Sequence, residues 1–232
     1  MILDDLAERV AWYDEIGVHY NLVAAAIYAV RPQTCEQLIE REFLRKVVAG
    51  LVVFDMKPRM HSGIYSFDAP GAFAHSLQSE LIQCIQDPEI AQLLTANLAG
   101  FAFSEQQLRA IRSIYALLSR AQFLGKNGKR FDVGATKILH FLNPHLFPIL
   151  DRNVASAMRE MGYIPFTKTT QPGWSPGRYI EMMRVIQIEI ESSGLPWADP
   201  RLPIRLFDKA AFIVGRNTAP ANADEDATDI DQ

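Results

Sequence analysis

Cysteine is scarce in this chain: Cys35 and Cys84 stand alone among 232 residues. Two isolated thiols make neither a disulfide framework nor a cluster-binding set, and they fit a reducing compartment. Histidine is nearly as sparse. His140 and His145 are five positions apart, whereas a helical ligand pair sits about four apart, and no other His or Cys joins them at ligand spacing. No metal and no cofactor are expected. Long apolar runs are missing too. The strongest, Val47 to Phe54, falls far short of the roughly 20 residues a membrane span takes. The first residues, MILDDLAERV, carry acids where a secretory leader carries bases. The expectation is a cytoplasmic chain with no membrane partner.

A sustained excess of one charge is also lacking. The net charge is −4, but residues 219–232, APANADEDATDIDQ, hold five acids and no base. Without them 22 acids face 23 Lys and Arg. Residues 1–218 are expected to form the helical domain. Residues 219–232 have little to bury and are expected to be a disordered acidic tail. No internal repeat or long Pro/Gly/Ser linker divides the body.

What is present is helical periodicity. Leu3, Leu6, Val10, Tyr13 and Ile16 make one apolar stripe, and a second helix is expected from His19 to Val30. Thr34-Cys35-Glu36-Gln37 and Ser104-Glu105-Gln106-Gln107 have the capping-box pattern. The first opens a helix carrying Leu38, Phe43, Leu44, Val47, Val48 and Leu51. The second opens one carrying Leu108, Ile111, Ile114, Tyr115, Leu118 and Phe123. Further helices are expected over 72–86, 88–99, 132–142, 152–161, 178–191 and 202–214. Only short stretches such as Leu51 to Phe54 suit a strand. Residues 55–71 and 162–177 are rich in Gly, Pro or Thr and are expected to be loops. The fold class is all-α, as one compact unit or two interleaved helical lobes.

The most informative stretch is 125–154, GKNGKRFDVGATKILHFLNPHLFPILDRNV. A basic Gly-containing turn leads to a helix, then an apolar segment, then an acid that opens another helix. Two roles compete for Asp151: a plain N-cap, or a carboxylate that does chemistry beside a pocket. Gly125, Lys126, Gly128, Lys129 and Arg130 have the composition of a phosphate-gripping turn, and equally of a solvated surface turn. Lys137 reads as a surface helix residue or a nucleophile, and His140 as a packed histidine with its polar edge satisfied. Tyr163 and Trp174 suit either stacking on a base or core packing. Arg59, His61, Tyr65 and Asp68 lie in a loop that suits closure over a ligand.

The string FPILDRNV resembles the segment around the catalytic aspartate of helix-hairpin-helix DNA glycosylases, most closely the adenine-mismatch branch and more loosely the 8-oxoguanine branch. The similarity is sharp over about eight residues and looser over 125–154. It implies a helix-hairpin-helix glycosylase-like domain that binds DNA or a modified nucleoside. It further implies cleavage of an N-glycosidic bond, with Asp151 stabilising positive charge on the sugar. The extruded base would enter a pocket. The resemblance makes Gly134 a hairpin glycine near phosphate, while Lys137, one residue past the family's lyase position, is a candidate Schiff-base nucleophile that alignment alone does not assign. Four features depart from the family. Asp132 stands where a first hairpin glycine is usual, Thr136 stands where the lyase lysine is usual, the distance from Gly134 to Asp151 is shorter than usual, and the iron–sulfur cysteines of many adenine-mismatch enzymes are missing. The alternative is a non-catalytic binding or assembly subunit with a protein partner, in a bacterial multi-protein system. Relatives of this fold in anti-phage operons imply an antiviral role for such a subunit.

Overall fold

The computed structural model describes residues 1–54, 70–120, 131–163 and 175–218. Among them are eleven helices and no strand. In chain order these are α1 (Leu6–Ile16), α2 (Val18–Ala29), α3 (Cys35–Leu38), α4 (Arg41–Phe54), α5 (Pro70–Cys84), α6 (Pro88–Leu93), α7 (Glu105–Ser119), α8 (Asp132–Leu142), α9 (Arg152–Glu160), α10 (Pro176–Ser193) and α11 (Pro203–Thr218). No helix among the described residues is long and apolar enough to cross a membrane.

Local chemistry explains several of the boundaries. At α7 the Ser104 hydroxyl accepts from the Gln107 amide, and the Gln107 side chain accepts from the Ser104 amide, which completes the expected capping box. Thr34 accepts from the Gln37 amide, yet the helix it opens ends at Leu38 and α4 starts afresh at Arg41. The single helix expected there is two. Leu51 to Phe54 is the last turn of α4, not a strand. Leu44, Val47, Val48 and Leu51 are all buried, so the 3–4 spacing continues into that apolar run and outweighs its local β character. The helix expected over 88–99 stops at Leu93, with Asp87 as cap and Pro88 as its first residue.

Helix α8 runs through the middle of the molecule. From Gly134 to Leu142 every residue is buried. A helix covered on all sides has no solvent face to hold its polar side chains, so Thr136, Lys137 and His140 are enclosed by packing. Around α8 lie α7, α2 and α4. The most extensive helix pairing in the molecule is between α9 and α11, and α11 also covers α1. The start of the chain is tied to its far end. The Ile2 and Leu3 amides donate to Glu189 of α10, and Lys209 of α11 reaches Asp14 at 2.6 Å.

Candidate active site

Residues 143–151 connect α8 to α9. Within them 147–150 is buried but neither helix nor strand, so its main-chain polar groups need partners from elsewhere. Side chains supply them. His140 Nδ1 donates to the Phe147 carbonyl at 2.7 Å. The Tyr179 hydroxyl donates to the Pro148 carbonyl at 2.9 Å. The Ile149 amide donates to Asp208 Oδ2 at 3.4 Å. The Leu150 amide donates to Thr136 Oγ1 at 3.1 Å, while that hydroxyl donates to Val133 O at 2.8 Å. The apolar run is thus a core segment, held by hydroxyl, imidazole and carboxyl groups from α8, α10 and α11. It delivers Asp151 to the start of α9.

This arrangement sets the state of His140. A carbonyl only accepts, so Nδ1 carries the proton, and Nε2 accepts from the Tyr28 hydroxyl. Burial, then the Arg205 charge, lower the pKa of His140 to about 3 from an unfolded 6.5, against the opposing bond to Phe147. Between those values the unfolded chain binds the extra proton. His140 therefore costs stability as pH falls from about 6.5 toward 3, by up to about 1.4 kcal/mol per pH unit. Nitrogen NMR of the imidazole at pH 5 is expected to show the neutral Nδ1–H form. A charged ring at that pH would contradict the assignment.

Asp151 is the N-cap of α9: its Oδ1 accepts from the Val154 amide at 2.9 Å. The side chain is half-buried and lines a hollow of about 110 Å³. The other walls are Tyr13 of α1, Tyr20 of α2, Lys137 of α8, Arg205 and Asp208 of α11, and the apolar Ile149, Val154 and Phe212. The hollow is smaller than the roughly 150 Å³ cavity that accepts benzene, so a nucleobase entering it keeps part of its surface at the open side. Arg205 donates to the Tyr13 hydroxyl at 3.0 Å and lies over the Tyr13 ring, 5.1 Å from its centroid. Tyr13 in turn meets Phe212 edge-on at 5.3 Å. Burial raises the Asp208 acid well above the usual carboxylate range. Nearby Arg205 opposes this and Asp151 adds to it.

Of the residues singled out by sequence, the structure brings Asp151 and Lys137 to one hollow. Lys137 is 5% exposed, a buried lysine rather than a surface one. Thr136, its neighbour on α8, anchors the Leu150 main chain. Gly134 lies in the first turn of α8 and is buried. Gly125, Lys126, Gly128, Lys129 and Arg130 fall outside the described residues, as do Arg59, His61, Tyr65, Asp68, Phe123, Trp174 and the 219–232 tail. The Phe131 amide, at the start of the next described stretch, donates to Ser119 O at 2.8 Å. Tyr163 donates its hydroxyl to Glu189, which occupies its polar end. Among the described residues no three His, Cys, Asp or Glu gather in a metal-holding group.

Gly134 has a steric reason to be glycine. A Cβ there would lie 2.0–2.4 Å from three atoms of the Phe131 ring, and Phe131 is 2% exposed. The helix-propensity gain of Gly134→Ala, at most about 1 kcal/mol, is therefore outweighed by displacing a packed ring. A net loss of about 1–2 kcal/mol is expected in urea unfolding. A stabilised variant would show that the ring moves freely.

Sequence reasoning missed Tyr13, Tyr20, Arg205, Asp208 and Phe212. One signal for two of them was available. Arg205 and Asp208 stand three apart within IRLFDKAAF, 204–212, where every other residue but Lys209 is apolar. Charges on the inner face of such a helix mark either an ion-pair network or a site.

No family model, no curated protein and no solved structure matches this chain. The functional reading therefore rests on the residues and their geometry.

Proposed function

We propose that this chain is a helix-hairpin-helix glycosylase-like protein of the cytoplasm. It binds DNA or a modified nucleoside and cleaves an N-glycosidic bond at Asp151. One observation carries the reading: the Asp151 carboxyl group commits Oδ1 to the Val154 amide and still lines the hollow that Lys137 enters. Breaking a glycosidic bond builds positive charge on the sugar. A carboxylate fixed by a helix terminus and a core segment stabilises that charge without reorganising, an effect worth about 3–4 kcal/mol of barrier. The aromatic rings of Tyr13, Tyr20 and Phe212 offer flat surfaces to a base. Lys137 is the candidate Schiff-base nucleophile, and Lys126, Lys129 and Arg130 with their glycines are the candidate phosphate grip.

The test is incubation with duplexes carrying uracil, 8-oxoguanine or mismatched adenine, followed by alkali to reveal abasic sites. Cleavage of at least one duplex is expected. Borohydride would trap a covalent adduct through Lys137 that is lost in Lys137→Met. A trapped adduct that survives that substitution would place the nucleophile elsewhere.

A second reading, a non-catalytic binding or assembly subunit, is favoured by one observation. Trp12, Ile16, Val18 and Leu22 are exposed around the α1–α2 corner, Leu22 at 66%, and clustered exposed apolar side chains mark protein interfaces. No cleavage of any duplex, together with a stable complex with another protein, would favour it.

A further inference from the structure

The acid that the sequence resemblance did not single out is the more unusual of the two in the hollow. Asp208 is 3% exposed. Its Oδ2 accepts one long hydrogen bond, from the Ile149 amide at 3.4 Å, and its Oδ1 has no partner. Arg205, one turn earlier on α11, directs its guanidinium to Tyr13 and Asn21 at 3.0 and 3.5 Å. An ionised carboxylate has about four acceptor sites to satisfy. Burying it against a single weak donor is strongly unfavourable. A neutral carboxylic acid needs fewer donors, and it offers one of its own.

We propose that Asp208, which lines the hollow, acts as a carboxylic acid and donates a hydrogen bond to a carbonyl oxygen or unprotonated ring nitrogen of the molecule that occupies it, beside the Asp151 carboxyl group. The inference rests on the reading of the hollow as a nucleobase site, and it assigns the chemistry of the edge that is recognised. Two carboxyl groups in contrasting surroundings divide the work of donor and acceptor. With Asp208 neutral, the hollow holds the formal charges of Asp151, Lys137 and Arg205, a net of one positive charge. That suits an occupant presenting acceptors rather than donors.

Several groups face Asp208. Arg205 shares its helix, and Lys137 and Asp151 line the same hollow. Tyr13, Tyr28 and Tyr179 lie near enough to feel its charge from α1, α2 and α10. Arg205 and the Ile149 amide favour the ionised acid, whereas burial and Asp151 favour the neutral one. The net direction is upward, with burial the largest cause. The donor is thus present at lower pH and disappears as pH rises through the raised pKa.

The test uses the full chain with carboxyl-labelled aspartate. A protonated carboxyl signal is expected at neutral pH in carbon NMR or infrared spectra, lost in Asp208→Asn. Free uracil, adenine and 8-oxoguanine are then titrated in, and at least one is expected to shift that signal. Wild-type affinity for that base should fall about tenfold as Asp208 ionises, the worth of one hydrogen bond. Asparagine keeps an N–H donor and an acceptor for Ile149, so Asp208→Asn should bind within about threefold of wild type with no such pH dependence. Absence of a protonated carboxyl overturns the inference, whatever the chain does to DNA. So does a protonated signal that no base shifts, or a folded Asp208→Asn that loses more than tenfold in affinity. The glycosylase reading fails separately, if free base shifts the signal while every duplex stays intact.

Discussion

Asp151→Asn is expected to lower the rate of base release on the order of 10²–10³-fold, the range seen when one preorganised electrostatic group is removed, and to leave folding almost untouched. Asparagine is as good an N-cap as aspartate, and its side-chain oxygen can still accept from the Val154 amide. Stability should therefore change by less than about 0.5 kcal/mol. Asp151→Ala gives the complementary result. It removes the cap as well, at a cost of about 1 kcal/mol, and loses no more activity than the asparagine variant. Single-turnover cleavage and urea unfolding on the three proteins separate the roles. If Asp151→Asn cuts at the wild-type rate, the residue is a cap and nothing else.

Among the described glycines, Gly215→Ala is expected to be the most damaging substitution. Its Cβ would fall 1.8 Å from the Asn153 carbonyl oxygen, 2.5 Å from the carbonyl carbon and 2.9 Å from Cα. Those are main-chain atoms in the first turn of α9, so no side chain can swing aside. The two helices must part, and theirs is the most extensive pairing in the molecule. A loss of about 3–5 kcal/mol follows, at the top of the range for point substitutions. That is a large share of the 5–15 kcal/mol typical of a folded domain. Thermal unfolding would measure it. Where the variant still folds, it should also bind nucleobases poorly, because α9 carries Asp151 and α11 carries Arg205 and Asp208. A variant with unchanged melting temperature would mean that the helices separate at little cost.

Much of the fold was legible because helical spacing is local. The limits of α8 and the Ser104 capping box could be read from neighbouring residues, since a helix is decided by side chains three and four apart. The split between α3 and α4 was hidden, because Leu38, Phe43 and Leu44 keep an apolar pattern across the break. The strand suggested at Leu51 to Phe54 failed for a related reason: four apolar residues in a row carry no period of their own. Half of the hollow was legible. Asp151 announces itself as an acid after an apolar run, and Lys137 lies close by in sequence. The other half was not, since Tyr13, Tyr20, Arg205 and Asp208 meet Asp151 only through the packing of α1, α2 and α11. No local pattern encodes that meeting.

The hollow draws walls from residues 13 and 20 and from residues 205, 208 and 212. During synthesis the first pair leaves the ribosome long before the last three are joined to the chain. At about 5–20 residues per second, the stretch between Tyr20 and Arg205 takes on the order of ten seconds or more to make. Lys137 and Asp151 are themselves added only in the later part of that interval, and until α11 is made they have neither Arg205 nor Asp208 beside them, so any activity of this pocket waits for α11.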